Sequence, residues 1–150
     1  MKKTLIYTLL AVTATFAFAA DKAGAEVTVF KSPTCGCCTK WSAHMRENGF
    51  AVNEKLVDNV AAYKQQLGVP VYLSSCHTAL VGGYVIEGHV PANDVRRLLV
   101  ERPDIRGLTV PGMVVGSPGM EQGGRQDSYS VIAIRKDGTS YIYHTYDKKK

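Results

Sequence analysis

The chain has 150 residues, 45% hydrophobic and 21% charged, which fits one globular domain and excludes a collagen-like, disordered or multidomain chain. The net charge of +5 does not indicate a nucleic-acid partner. The excess lies in Lys2, Lys3 and the last three lysines, whereas residues 26–147 carry 12 basic and 12 acidic side chains.

The N-terminus has the pattern of a secretory signal peptide. Lys2 and Lys3 precede an apolar stretch at 5–18, and small residues follow, so we expect cleavage after Ala19 or as late as Ala25. A membrane anchor is the alternative, but the stretch is shorter than the roughly 20 residues that cross a bilayer. We therefore expect a mature protein without a membrane span and, in a Gram-negative bacterium, a periplasmic one.

Hydrophobic periodicity, capping residues and Gly/Pro stops predict alternating strands and helices up to Pro103. In chain order they are a strand at 26–30, a helix at 38–48, a strand at 50–57, a helix from the cap Asp58 or Asn59 to 68, one or two strands within 80–90, and a helix between Pro91 and Pro103.

The C-terminal part combines a Gly/Pro-rich segment with a hairpin. Residues 107–124 contain two Pro-Gly-Met runs and are predicted to form a loop. The stretches 129–135 and 139–146 alternate apolar and polar residues around Asp137-Gly138, a strong tight-turn signal.

The element order resembles the thioredoxin fold. We expect one α/β, thioredoxin-like domain over residues 26–147, with 148–150 as a basic tail. That fold usually has a cis-proline facing its cysteine loop, and both Pro111 and Pro70 are candidates for it.

All four cysteines lie in the exported part of the chain, as Cys35, Cys37 and Cys38 in one run and Cys76 beside His77. Two structural disulfides are the ordinary expectation in an oxidising compartment. However, a disulfide usually needs Cα atoms about 4.4–6.8 Å apart, and neighbouring Cα atoms are about 3.8 Å apart. The spacing therefore argues against a purely structural role.

Thiol–disulfide exchange is a second interpretation. Cys35 and Cys38 form a C-x-x-C pair between a strand and a helix, where the helix N-terminus favours thiolate, and they are the candidate catalytic pair. Cys37 weakens this interpretation, because a third thiol inside the motif would interfere with a simple two-electron couple.

Soft-metal binding is the third interpretation, since clustered thiolates favour Cu(I). Cysteines this close in sequence do not easily surround one tetrahedral ion, and they are better placed to bridge several. A closed zinc site is the rival, but structural zinc sites usually combine two C-x-x-C-like pairs, and the sequence has one.

Copper also accepts imidazole and thioether ligands, which three further residues supply. Met113 and Met120 lie in the Gly/Pro-rich segment, and His89 lies in a predicted turn before a helix. Each also fits a structural role, the methionines folded onto the core and His89 as a capping or hydrogen-bonding residue. The pattern leaves both roles open.

Four other aromatic residues have mainly structural interpretations. His77, beside Cys76, is interpreted as an outer partner of a ligand. His44 and Trp41 share a helix face and are expected to pack, with Trp41 in the core. His144 alternates with tyrosines on a strand and is also expected to be structural.

Several runs together resemble the exported C-x-C-C copper-resistance proteins of Gram-negative bacteria, the CopG type, and not the DNA-binding repressor of the same name. The runs are Cys-Gly-Cys-Cys at 35–38 with Trp41, Gly-Val-Pro at 68–70, Ser-Cys-His-Thr-Ala at 75–79, Gly-Tyr-Val-Ile-Glu-Gly-His-Val-Pro-Ala at 83–92, Val-Pro-Gly-Met at 110–113 and Gly-Ser-Pro-Gly-Met at 116–120. The resemblance covers nearly the whole mature chain. It departs at Val114, where we expect proline in many relatives.

The resemblance implies a thioredoxin-like domain with the Gly/Pro-rich segment added as a metal-binding segment. It also implies a copper cluster bridged by cysteine sulfur, and interconversion of Cu(I) and Cu(II) during copper detoxification. The ligands that it implies are Cys35, Cys37, Cys38, Cys76, His89, Met113 and Met120. We expect a monomer whose partners are several copper ions and the components of a copper efflux system. A copper oxidoreductase, a non-enzymatic Cu(I) store or chaperone, and a metal-free thiol–disulfide oxidoreductase are the three candidate functions.

Overall fold

A computed structural model describes residues 24–148, so the predicted signal peptide, with its earlier cleavage site, lies outside the described residues. In chain order the elements are β1 (Glu26–Lys31), α1 (Gly36–Glu47), β2 (Ala51–Leu56), α2 (Val60–Gln66), a turn of 3-10 helix (Val71–Leu73), β3 (Thr78–Val81), β4 (Tyr84–Gly88), α3 (Ala92–Glu101), β5 (Gly107–Val110), β6 (Tyr129–Ile134) and β7 (Ser140–Tyr146).

Most of the predicted elements are confirmed, with small shifts at their ends. α1 begins two residues earlier than predicted, so Cys37 and Cys38 belong to its first turn. Of the two candidate caps of α2, Asn59 is the one used, because its side chain accepts a hydrogen bond from the Ala62 N–H at 3.1 Å.

Two expectations are corrected. The predicted loop at 107–124 begins with a strand, because β5 pairs with β4 on one side and β6 on the other and is buried along its whole length. All peptide bonds of residues 24–148 are trans, so neither Pro70 nor Pro111 is a cis-proline.

One seven-stranded sheet organises the described residues, in the order β2-β1-β3-β4-β5-β6-β7. The pairs β1–β2 and β4–β5 are parallel, and the other neighbours are antiparallel. Together with the three α-helices of residues 24–148, this sheet forms a mixed α/β domain. No helix in this range is both long and apolar enough to cross a membrane.

The helices α1 and α3 are joined through the core. Trp41 is fully buried, as expected, and its indole Nε1 donates to the Val90 carbonyl at 2.9 Å. His44 Nε2 accepts from the Ala92 N–H at the start of α3, at 3.1 Å. These contacts fix the middle of α1 against the segment that follows β4.

The strand registers bring four segments to one end of the sheet. Phe30 near the end of β1 lies opposite Thr78 at the start of β3, and Thr78 lies opposite Glu87 near the end of β4. Gly88 in turn pairs with Val110, the last residue of β5. The cysteine run, the Cys76 segment, His89 and the Gly/Pro-rich segment therefore emerge side by side.

Candidate metal centre

The cysteine run lies at the N-terminus of α1. Cys35 is the N-cap residue, and its sulfur forms a disulfide with Cys38, with Cα atoms 5.4 Å apart. Cys38 is buried, whereas Cys37 is partly exposed and carries a free thiol. The positive end of the helix dipole stabilises a thiolate at this position. The first helical turn contains no acidic residue whose negative charge would weaken that effect.

Cys76 approaches this run from the start of β3. The Cys37 Sγ lies 3.5 Å from the Cys35 Sγ and 3.9 Å from the Cys76 Sγ. All four sulfurs lie within 4.8 Å of one another. The fold therefore brings together the four cysteines that the sequence singles out.

His89 joins the sulfurs through Cys76. Its Nε2 lies 3.0 Å from the Cys76 Sγ, and its Nδ1 donates to the Pro118 carbonyl at 2.7 Å. Because a carbonyl only accepts, Nδ1 carries the proton and Nε2 of the neutral ring is left with a free lone pair. Burial lowers the pKa of His89, against the opposing effects of Pro118 and Glu121. A neutral imidazole with Nε2 free is the form that binds metals.

His77 belongs to the same group, which extends its predicted role as an outer partner. It is fully buried, its Nδ1 lies 3.3 Å from the Cys76 Sγ, and its ring packs on Trp41 with centroids 4.5 Å apart. Its Nε2 has no hydrogen-bond partner among the described residues. Burial, and secondarily His89, Lys64 and Lys31, hold the pKa of His77 well below its usual value, so the ring is neutral.

Cys76 is protonated at neutral pH in the metal-free protein. Burial raises the pKa of its thiol to about 12, with a further contribution from Cys37, while Ser75 and Lys64 act in the opposite direction. A metal ion would have to displace this proton, because the thiolate is the form that coordinates.

One Pro-Gly-Met run contacts the residues just before Cys76, and the other packs against the cysteine helix α1. The Gly112 N–H donates to the Ser74 carbonyl at 3.0 Å, and the Gly112 carbonyl accepts from the Ser75 hydroxyl. Gly119 packs on α1 so closely that a Cβ there would lie 2.8 Å from the Cys37 carbonyl oxygen. Each methionine thus follows a residue docked beside a cysteine. Met113 is 60% exposed and Met120 is partly buried, and ligation by their sulfurs stays a prediction.

His144 lies away from the sulfurs and has a structural role, as expected. Its Nδ1 pairs with the Asp94 carboxylate at 2.7 Å, and Tyr146 donates to the other oxygen of the same carboxylate. These contacts tie β7 to the first turn of α3.

The donor set fits copper. The first group of possible ligands has four cysteine sulfurs, two of them joined as the Cys35–Cys38 disulfide, and the second, which shares Cys76, has one thiol and two imidazoles; neither contains a carboxylate. Thiolates favour Cu(I), and imidazole suits both copper oxidation states, whereas Mg²⁺ and Ca²⁺ prefer oxygen. The His77 nitrogen that faces the sulfurs is Nδ1, 3.3 Å from the Cys76 Sγ.

Fold and site together define an α/β protein with a candidate soft-metal centre of thiols and imidazoles. A solved structure described as "Copper resistance protein copG- Form 2" is 43% identical, with a TM-score of 0.79 over 82% of this chain and 98% of that one. A second, "Copper resistance protein copG- Form 1", is 43% identical, with a TM-score of 0.77 over 81% of this chain and 97% of that one. The chain therefore belongs to the CopG family of copper resistance proteins.

The family model described as "Protein of unknown function, DUF411" matches residues 73–120. That stretch contains Cys76, His77, His89 and both Pro-Gly-Met runs. No curated protein matches the chain.

Proposed function

We propose that this protein binds several copper ions in copper resistance, with cysteine sulfurs bridging the ions. The observation that carries the proposal is the gathering of four sulfurs and two imidazoles around Cys76. Cys76 belongs to both groups, so one thiolate would serve ions on both sides. Cys35, Cys37 and Cys38 would hold copper on the helix side, with His77 and His89 on the strand side.

The second part of the proposal is interconversion of Cu(I) and Cu(II). Cys35 and Cys38 would be the redox-active pair: oxidation of the two thiols to their disulfide releases two electrons and two protons, and the two electrons would reduce two Cu(II) ions to Cu(I). The chain's own contribution is to hold sulfur and nitrogen donors together. Thiolates favour Cu(I) and imidazoles also suit Cu(II), so both oxidation states find suitable ligands. Burial of Cys38, His77 and His89 keeps water from much of the site.

The location and the fold class belong to the same proposal. We propose that the signal peptide exports a thioredoxin-like domain to the periplasm, where copper efflux components would be its partners. A C-x-x-C pair that follows β1 and spans the N-cap and first turn of α1 supports the fold class. An oxidising compartment also agrees with the Cys35–Cys38 disulfide.

Anaerobic titration of the reduced protein with Cu(I) tests the metal. We expect more than one copper ion per chain, with absorption bands of thiolate bound to copper. The physical reason is that four crowded sulfurs are better able to bridge ions than to surround one. The same titration with Zn²⁺ is the control, and one tightly held zinc ion without a preference for copper would contradict the proposal.

Redox turnover separates an oxidoreductase from a copper store or chaperone. The loaded protein is mixed with a small-molecule electron donor, and the Cu(II) signal in electron paramagnetic resonance is followed over repeated additions of copper. An oxidoreductase converts many equivalents per chain, whereas a store stops once its sites are filled.

A metal-free thiol–disulfide oxidoreductase remains the alternative, and the Cys35–Cys38 disulfide at a helix N-terminus favours it. We expect Cys37→Ser to lower the number of bound copper ions, because it removes the sulfur between Cys35 and Cys76. The alternative instead expects unchanged copper binding and undiminished reduction of a disulfide substrate. Cys37→Ser measured in both assays decides between the two functions.

A further inference from the structure

A buried carboxylate lies behind the strand side of the candidate site. Glu87, in β4, is fully buried, and its Oε1 accepts from the Lys64 ammonium at 2.5 Å and from the Ser75 N–H at 2.6 Å. Its Oε2 accepts from the Thr78 hydroxyl at 2.6 Å. A buried carboxylate is costly unless it is paired and hydrogen-bonded, and Glu87 is both.

Glu87 and the two residues after it contact the three residues 75–77. Glu87 binds the Ser75 N–H, the Gly88 N–H donates to the His77 carbonyl at 2.9 Å, and His89 Nε2 lies 3.0 Å from the Cys76 Sγ. The main chain is thus held on both sides of Cys76. The Glu87 side chain holds the Ser75 N–H, and the Gly88 N–H holds the His77 carbonyl.

Sequence position alone does not place Cys76. Ser74, Ser75 and Cys76 follow the 3-10 turn and precede β3, so no ladder bond of β3 constrains them. The Cys76 Sγ nevertheless lies 3.9 Å from the Cys37 Sγ, which belongs to a different segment. A small displacement of the main chain at Ser75 would move this sulfur relative to both Cys37 and His89.

Lys64 gives the carboxylate its counter-charge. It reaches Glu87 from α2, and its Nζ also donates to the Thr78 hydroxyl at 3.1 Å. Lys64 is nearly buried too, with 12% of its side chain exposed. Replacing a buried ion pair by apolar residues of similar volume often leaves the stability of a protein unchanged or raises it. Stability alone therefore does not explain why Lys64 and Glu87 are paired here, and a further role is worth testing.

We propose that Glu87 is a positioning residue: through its hydrogen bond to the Ser75 N–H it sets the place of the Cys76 sulfur relative to Cys37 and His89. The proposal rests on the proposed function in that the sulfur so placed would bind copper. Lys64 serves it by pairing with the Glu87 carboxylate and holding it in place.

The test is a pair of double variants that differ in one acceptor atom. Glu87→Leu with Lys64→Met removes both charges and leaves the Ser75 N–H without an acceptor. Glu87→Gln with Lys64→Met also removes both charges, but the amide oxygen can still accept from Ser75 and the amide N–H can donate to Thr78. Thermal unfolding shows that each variant is folded, and Glu87→Met with Lys64→Met replaces the leucine variant if that one is not.

The first measurement uses no metal. With Cys35 and Cys38 joined, Cys37 and Cys76 are the two free thiols of the chain, so dibromobimane, which becomes fluorescent on linking two nearby thiols, reports their separation. We expect a severalfold lower yield in the Leu/Met variant and a yield near that of the unaltered protein in the Gln/Met variant. Equal yields in the two variants would overturn the proposal, because charge or packing would then account for the effect.

The second measurement is Cu(I) affinity by competition with a Cu(I) chelator. We expect the Leu/Met variant to bind about 10- to 100-fold more weakly, the range typical for losing an outer partner of a metal ligand, with the Gln/Met variant close to the unaltered protein. Unchanged affinity and unchanged copper–thiolate absorption in a folded Leu/Met variant would count against the proposal. If the unaltered protein bound no copper, the proposed function would fail, and the cross-linking result would still decide whether Glu87 positions Cys76.

Discussion

Cys76→Ser is expected to remove most of the copper binding, with an affinity loss of more than about 100-fold, because even outer partners of ligands change metal affinity by about 10- to 100-fold. Cys76 is the residue shared by the two groups of candidate ligands, and its sulfur is within 3.9 Å of Cys37 and 3.0 Å of His89. Serine is nearly the same size but offers a hard oxygen that Cu(I) disfavours. Copper per chain, counted after anaerobic loading and desalting, is the measurement.

Cys37→Ser is the matched control, since it makes the same chemical change in one group only. We expect it to keep more copper than Cys76→Ser, with ions still held by Cys76, His77 and His89. Comparable losses in the two variants would show that Cys76 does not join two groups of ligands. Full copper binding by Cys76→Ser would refute the assignment of the site itself.

Local signals predict much of the fold. The strand before the cysteine run, the helix after it and the hairpin around Asp137-Gly138 follow from periodicity and turn residues that lie within each element. β5 shows the limit of such reasoning. Gly107–Val110 is four residues long and begins a Gly/Pro-rich segment, and its strand conformation depends on pairing with β4 and β6, which no local pattern reveals.

The candidate site shows the same division. Clustering of Cys35, Cys37 and Cys38 is visible in the sequence, which also predicts Cys76 as the fourth thiol, and the structure brings its sulfur to the other three. The sequence places His77 beside Cys76 as an outer partner of a ligand, and the structure brings its Nδ1 to 3.3 Å from the Cys76 Sγ, close enough to make His77 itself a candidate ligand. Which way a side chain faces just before a strand is set by the register of β3 against β1 and β4, a non-local property.

The role of Glu87 is also beyond the sequence. A glutamate in an apolar strand can be recognised as unusual, but its acceptor role at Ser75 depends on how α2 and the 3-10 turn cross the sheet. The same holds for the Gly/Pro-rich segment, whose two docking points, at Gly112 and Gly119, lie on separate parts of the site. Long-range packing thus decides which of several nearby polar groups act together.

Gly119→Ala is expected to destabilise the protein by about 2–5 kcal/mol and to weaken copper binding. Gly119 has φ of +86°, where an L-residue costs about 1–2 kcal/mol, and its new Cβ would lie 2.8 Å from the Cys37 carbonyl oxygen and from the Trp41 nitrogen. Both contacts are to main-chain atoms of α1, which cannot rotate away, and such overpacking costs about 1–3 kcal/mol more. Chemical denaturation of the metal-free protein measures the loss of stability.

The copper effect follows from what the segment carries. Displacing Gly119 moves its two neighbours, Pro118 and Met120. The Pro118 carbonyl oxygen lies 2.7 Å from the His89 Nδ1, which donates to it, and Met120 is a predicted ligand. His89 would then be free to rotate, and its Nε2 would no longer be held at Cys76. We expect about 10- to 100-fold weaker Cu(I) binding, the range for loss of a partner that orients a ligand.

Gly124→Ala provides the matched control, because Gly124 has φ of +81° in the same segment, but a Cβ added there would meet no atom within 4 Å. We expect Gly124→Ala to lower the free energy of unfolding by only the roughly 1–2 kcal/mol that an L-residue costs at positive φ, and to bind copper like the unaltered protein. The difference between the two variants therefore isolates the contact of Gly119 with α1. If both variants bound copper equally well, docking of the Gly/Pro-rich segment on the cysteine helix would have no part in holding the metal.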